Sequence, residues 1–220
     1  MTSAVTYPIG IIGSGNIGSA LARAFSLAGH RIVIANSRGP ASLASLVDEL
    51  GELVTAGTVE QAAAAGDLVV VTIPLGAVTS IPSALLDGRL VVDTNNYYPA
   101  RDGQIAELDD ESLTTAEYVA RHCAGATVVK AFNHIPALEI AGHAQPSGTR
   151  DRRALMVYGE DTTAVERVSA LIEAIGFDAV AGGGLAESWR IQRDTPGYGP
   201  RFSAIELTAK LTEARRYRDL

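Results

Sequence analysis

Cysteine is nearly absent from these 220 residues: Cys123 stands alone, so no intrachain disulfide can form and no thiolate set can build a zinc site. Long apolar runs are missing as well. The longest, Leu68 to Val78, is interrupted by Thr72, Pro74 and Gly76 and falls far short of the ~20 residues that span a bilayer. The opening stretch, Met1 to Pro8, lacks the charged-then-apolar layout of a secretory signal. The expectation is a soluble, cytoplasmic chain with no membrane partner. Basic charge is in deficit, with 18 Lys and Arg against 25 Asp and Glu and a net charge of −7. That argues against nucleic acid as a partner. There is no Ser-His-Asp order, no paired carboxylate dyad and no metal-ligand cluster, so no metal is expected.

What is present is material for a core. Apolar residues make up 47% of the chain and charged residues 20%, and the 22 glycines and 9 prolines scatter without a period, which excludes disorder and low-complexity classes. Short β-rich runs alternate with alanine-rich segments through the first 130 residues. Strands are predicted at Ile9–Ile12, Arg31–Ala35, Leu53–Ala56, Leu68–Ile73, Leu90–Asp93 and Thr127–Ala131. Helices are predicted at Ile17–Ala28, Ser42–Leu50, Val59–Ala65, Val78–Leu86 and Thr115–Ala124. Runs such as Leu68-Val69-Val70-Val71 show no in/out alternation, as in strands covered on both faces. Strand–helix–strand units of this length force parallel strands with right-handed crossovers. The fold class is therefore α/β, a Rossmann-like, doubly wound and mainly parallel sheet.

The remaining residues predict strands at Ala154–Tyr158 and Phe177–Ala181 and helices at Thr162–Ile175, Leu185–Ile191 and Ser203–Arg218, with a turn-rich link at Asp194–Pro200. No linker separates independent units. The expectation is a single domain over residues 1–220, with a dinucleotide-binding core at 1–145 and a C-terminal extension at 146–220 packed on the same sheet.

Gly13-Ser14-Gly15-Asn16-Ile17-Gly18 fits G-x-G-x-x-G and directly follows the first strand. Alone the pattern is weak; between a strand and a helix it is strong. Gly13 permits the turn, Gly15 lets the backbone approach a pyrophosphate, and Gly18 lets the helix pack on the strand. The helix then aims its free N–H groups at the phosphates. An NAD enzyme places an acid at the end of the second strand for the ribose 2′-OH. Here Asn36-Ser37-Arg38-Gly39 stands instead, with no acid before Asp48. A guanidinium at Arg38 and a hydroxyl at Ser37 suit a 2′-phosphate, so NADP(H) is the expected cofactor.

Three strand ends aim at the nicotinamide half: Thr72-Ile73-Pro74, Asp93-Thr94-Asn95-Asn96 and Lys130-Ala131-Phe132-Asn133-His134. Pro74 and its neighbours can exclude water; Asn95 and Asn133 can bind the carboxamide or ribose. His134 is the only histidine on such a strand end and is the candidate general acid. For Lys130 a structural role beside a carboxylate weighs as much as a catalytic one. The scarcity of proton-transfer groups suits an acceptor that takes hydride directly, such as a flavin-like ring, where the protein supplies orientation.

Gly13-Ser14-Gly15-Asn16-Ile17-Gly18, Asn36-Ser37-Arg38, Lys130-Ala131-Phe132-Asn133 and Leu185-Ala186-Glu187-Ser188-Trp189 resemble the coenzyme F-420 (F420)-dependent NADP oxidoreductases, over nearly the whole length from Ile9 to Trp189. The resemblance implies a Rossmann-like domain with a small extension, usually a homodimer. It implies hydride transfer between NADPH and a deazaflavin without a dedicated acid or base. In that frame the glycine turn carries the pyrophosphate, Ser37 and Arg38 take the 2′-phosphate, and Ile73-Pro74, Asn95 and Asn133 border the nicotinamide.

Competing readings are a reductase of a small carbonyl or imine substrate, a free-flavin reductase, and an NADPH-binding sensor whose Arg215-Arg216 and Arg218 meet a partner protein. Those small-substrate reductases complete their site with a helical domain of roughly a hundred residues, and the chain left after Ala181 is too short for one. Arg150, Arg152 and Arg153 form a basic run that reads either as a solvated loop or as a contact for the anionic tail of a deazaflavin.

Overall fold

The computed structural model describes residues 6–216 and 218. Eight strands build the sheet: β1 (Ile9–Ile12), β2 (Ile32–Ala35), β3 (Val54–Gly57), β4 (Leu68–Val71), β5 (Leu90–Asp93), β6 (Thr127–Lys130), β7 (Ala154–Gly159) and β8 (Asp178–Ala181). Their spatial order is β3-β2-β1-β4-β5-β6-β7-β8. Every neighbouring pair is parallel except β6 with β7, which is antiparallel. The order reverses between β1 and β4, and that switch point is where a doubly wound sheet opens a crevice at its carboxyl edge.

Helices cover both faces, as the unbroken apolar strands require. One face receives α1 (Asn16–Leu27) and α2 (Ala44–Leu50). The other receives α3 (Val59–Ala64) and, after the short turns α4 (Pro99–Asp102) and α5 (Ala106–Asp109), α6 (Thr115–His122). Three more helices follow: α7 (Ala137–Gly142), α8 (Thr162–Ala174) and α9 (Ala204–Glu213). Leu21, Phe25, Val168 and Leu171 close the first layer. Ala62, Val78, Leu86 and Val119 close the second.

Two predicted helices are shorter than expected. Val78–Leu86 is instead a pair of 3-10 turns, Leu75–Ser80 and Ser83–Leu86. Pro82 divides them, because it lacks an N–H and drives Ile81 into an extended conformation (ψ 119°). The terminal helix stops at Glu213 rather than Arg218: Ala214 turns to ψ 139°. Its start is set by a capping box in which Ser203 and Glu206 satisfy each other's amides. Leu207 and Leu211 then seat it against Ala154, Met156 and Tyr158 of β7. Leu185–Ile191 is helical, in 3-10 form.

Candidate nucleotide and acceptor site

The turn after β1 is shaped by what its glycines lack. Gly13 has φ +116°, and a Cβ there would lie 2.3 Å from the Thr72 carbonyl oxygen; a Cβ on Gly18 would lie 2.0 Å from the Gly13 carbonyl oxygen. Both positions therefore exclude a side chain. Gly15 differs, since nothing lies within 4 Å of its missing Cβ. That bare face sits at the N-cap of α1, where no side chain caps the helix and no acid occupies the first turn. The leading amides are left for an anion.

Asn36, at the end of β2, holds the flanking loop. Its Nδ2 donates to Ser14 Oγ (3.0 Å), and its Oδ1 accepts the Arg38 amide (2.9 Å). Ser37 and Arg38 are exposed, and the Arg38 guanidinium forms no ion pair among the described residues. A cleft of about 610 Å³ gathers Gly13, Ser14, Gly15, Ser37, Arg38, Thr72, Ile73 and Pro74. Glu60 lines it too. It arrives from the first turn of α3, far along the chain from the end of β2 where such an acid is ordinarily sought. Asn16 lies instead on a larger groove of about 1020 Å³ between α1 and α7, which shares Ser14 and Gly15 with the cleft and is edged by the exposed Leu27 and Leu138. Ile17 and Gly18 line neither cavity.

The β5–β6 end is built differently. Asp93 and Lys130, opposite each other in register, form a fully buried ion pair (2.9 Å). Lys130 Nζ also donates to the Asn95 carbonyl and to Thr115 Oγ1 (3.1 Å). Burial pulls its ammonium pKa down while Asp93 pushes it up. With all three protons spoken for inside the fold, Lys130 is structural. Asn95, at the carboxyl end of β5, is buried, and among the described residues its Nδ2 has no partner, an unpaired donor that calls for an explanation.

Asn133 and His134 depart from expectation. Asn133 is buried, and its Nδ2 donates to the Ile191 carbonyl (2.8 Å) and to Asn96 Oδ1 (3.2 Å). It ties the tail to the strand end and has no donor left for a carboxamide. His134 is buried; its Nε2 accepts the Met156 amide (3.2 Å), and its Nδ1 faces Asn133 Oδ1 (3.4 Å). Burial, then the charges of Arg153 and Lys130, push its pKa down to about 3. A neutral, enclosed ring is a poor general acid, so the candidate acid gives way to an anchor for β7.

The basic run is likewise resolved into separate parts. Arg150 is exposed and pairs with Asp151 (3.4 Å). Arg152 is buried against Asp178 and the Glu173 carbonyl. Arg153 is buried against Glu139 and the Gly199 carbonyl. No anion-binding patch results.

Two further features shape this edge, and both join residues that no local sequence pattern links. Asp102 Oδ1 accepts the Gly76 amide (3.3 Å) and its Oδ2 the Tyr98 amide (2.9 Å), while Arg101 bonds both oxygens, so one carboxylate clamps the loops after β4 and β5. Burial alone would raise its pKa, but Arg101 and the two amides outweigh that and lower it. Above the same edge, the Tyr98 and Tyr198 hydroxyls lie 2.9 Å apart. Burial, then the bond to Tyr98, raises the Tyr198 pKa.

A family model described as NADP oxidoreductase, coenzyme F420-dependent, matches residues 8–97, from β1 through the loop after β5. Over these residues, under half of the chain, the sequence is similar to that family. A hypothetical protein of Sinorhizobium meliloti is 35% identical and superposes with a TM-score of 0.77, covering 92% of this chain and 97% of that one. A candidate F420-dependent NADP reductase of Arthrobacter sp. FB24 shares the fold at 23% identity and a TM-score of 0.68, over 83% of this chain and 86% of that one. The Escherichia coli (strain K12) protein YjhV is 45% identical over 71 residues, which is 32% of this chain and 52% of that protein, about half its length.

Proposed function

We propose that the chain is an NADP(H)-dependent oxidoreductase that passes hydride between the dinucleotide and a deazaflavin (F420) or flavin-like acceptor. The observation that carries this reading is the pairing of an uncapped, acid-free N-terminus of α1 with an exposed Arg38, free of ion pairs among the described residues, on the rim of one cleft. A pyrophosphate answers the first and a 2′-phosphate the second. When bound, NADP(H) supplies or takes hydride at its nicotinamide ring.

The chain's own residues do the rest. The Gly13–Ile17 turn and α1 hold the phosphates, Ser37 and Arg38 hold the ribose phosphate, and Ile73 and Pro74 wall the cleft against water. Asn95 Nδ2 offers its unused donor to the carboxamide. Asp102 fixes the two loops that border the reacting carbon, so the protein's main contribution is orientation. A homodimer, implied by the resemblance, belongs to this reading, and sedimentation equilibrium checks it.

Steady-state NADPH oxidation with F420, FMN, FAD and a quinone offered separately tests the assignment. Turnover with F420 or a flavin is expected. Tight NADPH binding with no turnover on any of the four would replace the oxidoreductase with a nucleotide sensor.

A further inference from the structure

An acceptor that takes hydride at carbon builds negative charge on the heteroatom conjugated to it, and that atom needs a proton or a hydrogen-bond donor. Around the β5–β6 edge most polar groups are already committed. Lys130 spends its protons on Asp93, Asn95 and Thr115; His134 accepts the Met156 amide; Asn133 donates to Ile191 and Asn96. Tyr97 donates into the α4–α5 loops and accepts the Ile105 amide.

Tyr98 and Tyr198 are different. Asn96 Nδ2 donates to the Asn133 carbonyl (2.7 Å) and to Tyr198 Oη (3.3 Å), and Tyr198 Oη lies 2.9 Å from Tyr98 Oη. Asn96 fills one lone pair of Tyr198 Oη, and either phenol can donate to the other; in the arrangement where Tyr198 donates, the Tyr98 proton has no acceptor among the described residues. Both phenols are held by backbone. The Tyr98 amide donates to Asp102, the Gly199 amide donates to the His134 carbonyl (3.1 Å), and Arg153 grips the Gly199 carbonyl (2.8 Å). Arg101 and Arg193 stack on the Tyr98 ring at 4.7 and 5.2 Å from its centre. Three separate segments thus converge to present one phenolic O–H at the carboxyl edge of β5 and β6, where a doubly wound sheet takes its ligand.

We propose that Tyr98 donates the hydrogen bond and the proton to the hydride acceptor, with Tyr198 and Asn96 as positioning residues behind it. The acceptor class follows: an unsaturated molecule whose hydride-accepting carbon is conjugated to a carbonyl oxygen or ring nitrogen. In the reducing direction the carbon gains hydride from NADPH, the π pair moves to the heteroatom, and that atom takes a proton as the Tyr98 O–H bond breaks. Tyr98 is reprotonated by Tyr198, and the half-buried Tyr198 by water. This rests on the NADP(H) reading above and supplies it with a proton donor.

The test uses wild type, Y98F and Y198F, each saturated with NADP+ and titrated with oxidised F420 and separately with FMN, following the fluorescence of the added chromophore. NADPH affinity is measured on the same samples by calorimetry, and kcat, KM and the solvent isotope effect wherever turnover occurs. NADPH affinity is expected to be equal in all three. Y98F should bind the acceptor about tenfold more weakly and lose about 100-fold in kcat. Y198F should keep acceptor binding but lower kcat with an altered solvent isotope effect, which loss of packing alone would not produce. Y98F matching wild type in acceptor affinity and kcat would overturn the proposal, as would wild type that binds NADPH but neither chromophore. Absence of NADPH binding in wild type would instead bring down the oxidoreductase reading itself.

Discussion

The two ends of the cleft are made by opposite means. Over β1 and β4 the site is made of backbone: glycines keep side chains out, α1 leaves its amides bare, and Arg38 stands in solvent with no ion-pair partner among the described residues. Over β5 and β6 it is made of side chains locked to one another, with Lys130 on Asp93, Asn133 on Asn96, His134 on Met156, and the 192–200 segment drawn down over them. The first end is ready for any ligand that brings two phosphates. The second has already satisfied nearly every polar group and offers only a few, Asn95 Nδ2 and Tyr98 among them. On the function proposed above, generic recognition of the nucleotide and selective recognition of the acceptor would fall on separate elements.

Breaking the locked end should cost the most. Lys130→Met leaves Asp93 buried without a cation, and urea unfolding should show a loss of about 3–5 kcal/mol. The double variant D93L/K130M, which removes both charges, should recover most of that loss. If K130M unfolds at the wild-type midpoint, the end is not locked by this pair.

His134 gives the next effect, through pH. Its folded pKa of about 3 lies below the ordinary 6.5, so the unfolded chain binds the proton more readily. Its contribution to stability is full above pH 6.5 and is lost as pH falls toward 3. H134Q should flatten that part of the stability profile measured by chemical denaturation, and should leave turnover at pH 7 unchanged because the ring is an anchor. A large fall in turnover with unaltered stability would restore it as an acid.

At the open end the effects are smaller and confined to binding. R38A should weaken NADPH by about 10- to 100-fold while leaving NADH untouched, as expected for loss of one charge-assisted contact. E60Q removes a negative charge from the same rim, and a slight tightening of NADPH is expected. Fluorescence titration reads both, and tighter NADH binding in R38A would show that the arginine does something other than meet a phosphate.

The open end was legible in the sequence because its rules are local. A strand, three glycines at fixed spacing and a helix state their own geometry, and Arg38 follows β2 directly. The parallel sheet was equally readable from runs such as Leu68–Val71, whose lack of alternation announces cover on both faces. The locked end was not legible, since its partners come from distant parts of the chain. Nothing near Asn133 foretells that Ile191 and Asn96 will consume its amide, and Arg152 and Arg153 read as a surface run until Asp178, Glu139 and Gly199 are folded around them. Tyr198 sits in a turn-rich link whose register against β6 depends on the Gly199–His134 contact. Pro82, by contrast, is a local signal: it separates the turns Leu75–Ser80 and Ser83–Leu86 where apolar periodicity alone predicts one helix.

Calorimetric titration of nucleotide-free protein with NADPH and, in parallel, with NADH tests the central claim most directly. The account predicts micromolar binding of NADPH and binding of NADH weaker by at least about tenfold. Equal affinities would contradict the role given to Arg38, and no heat with either nucleotide would contradict the glycine turn as a phosphate site.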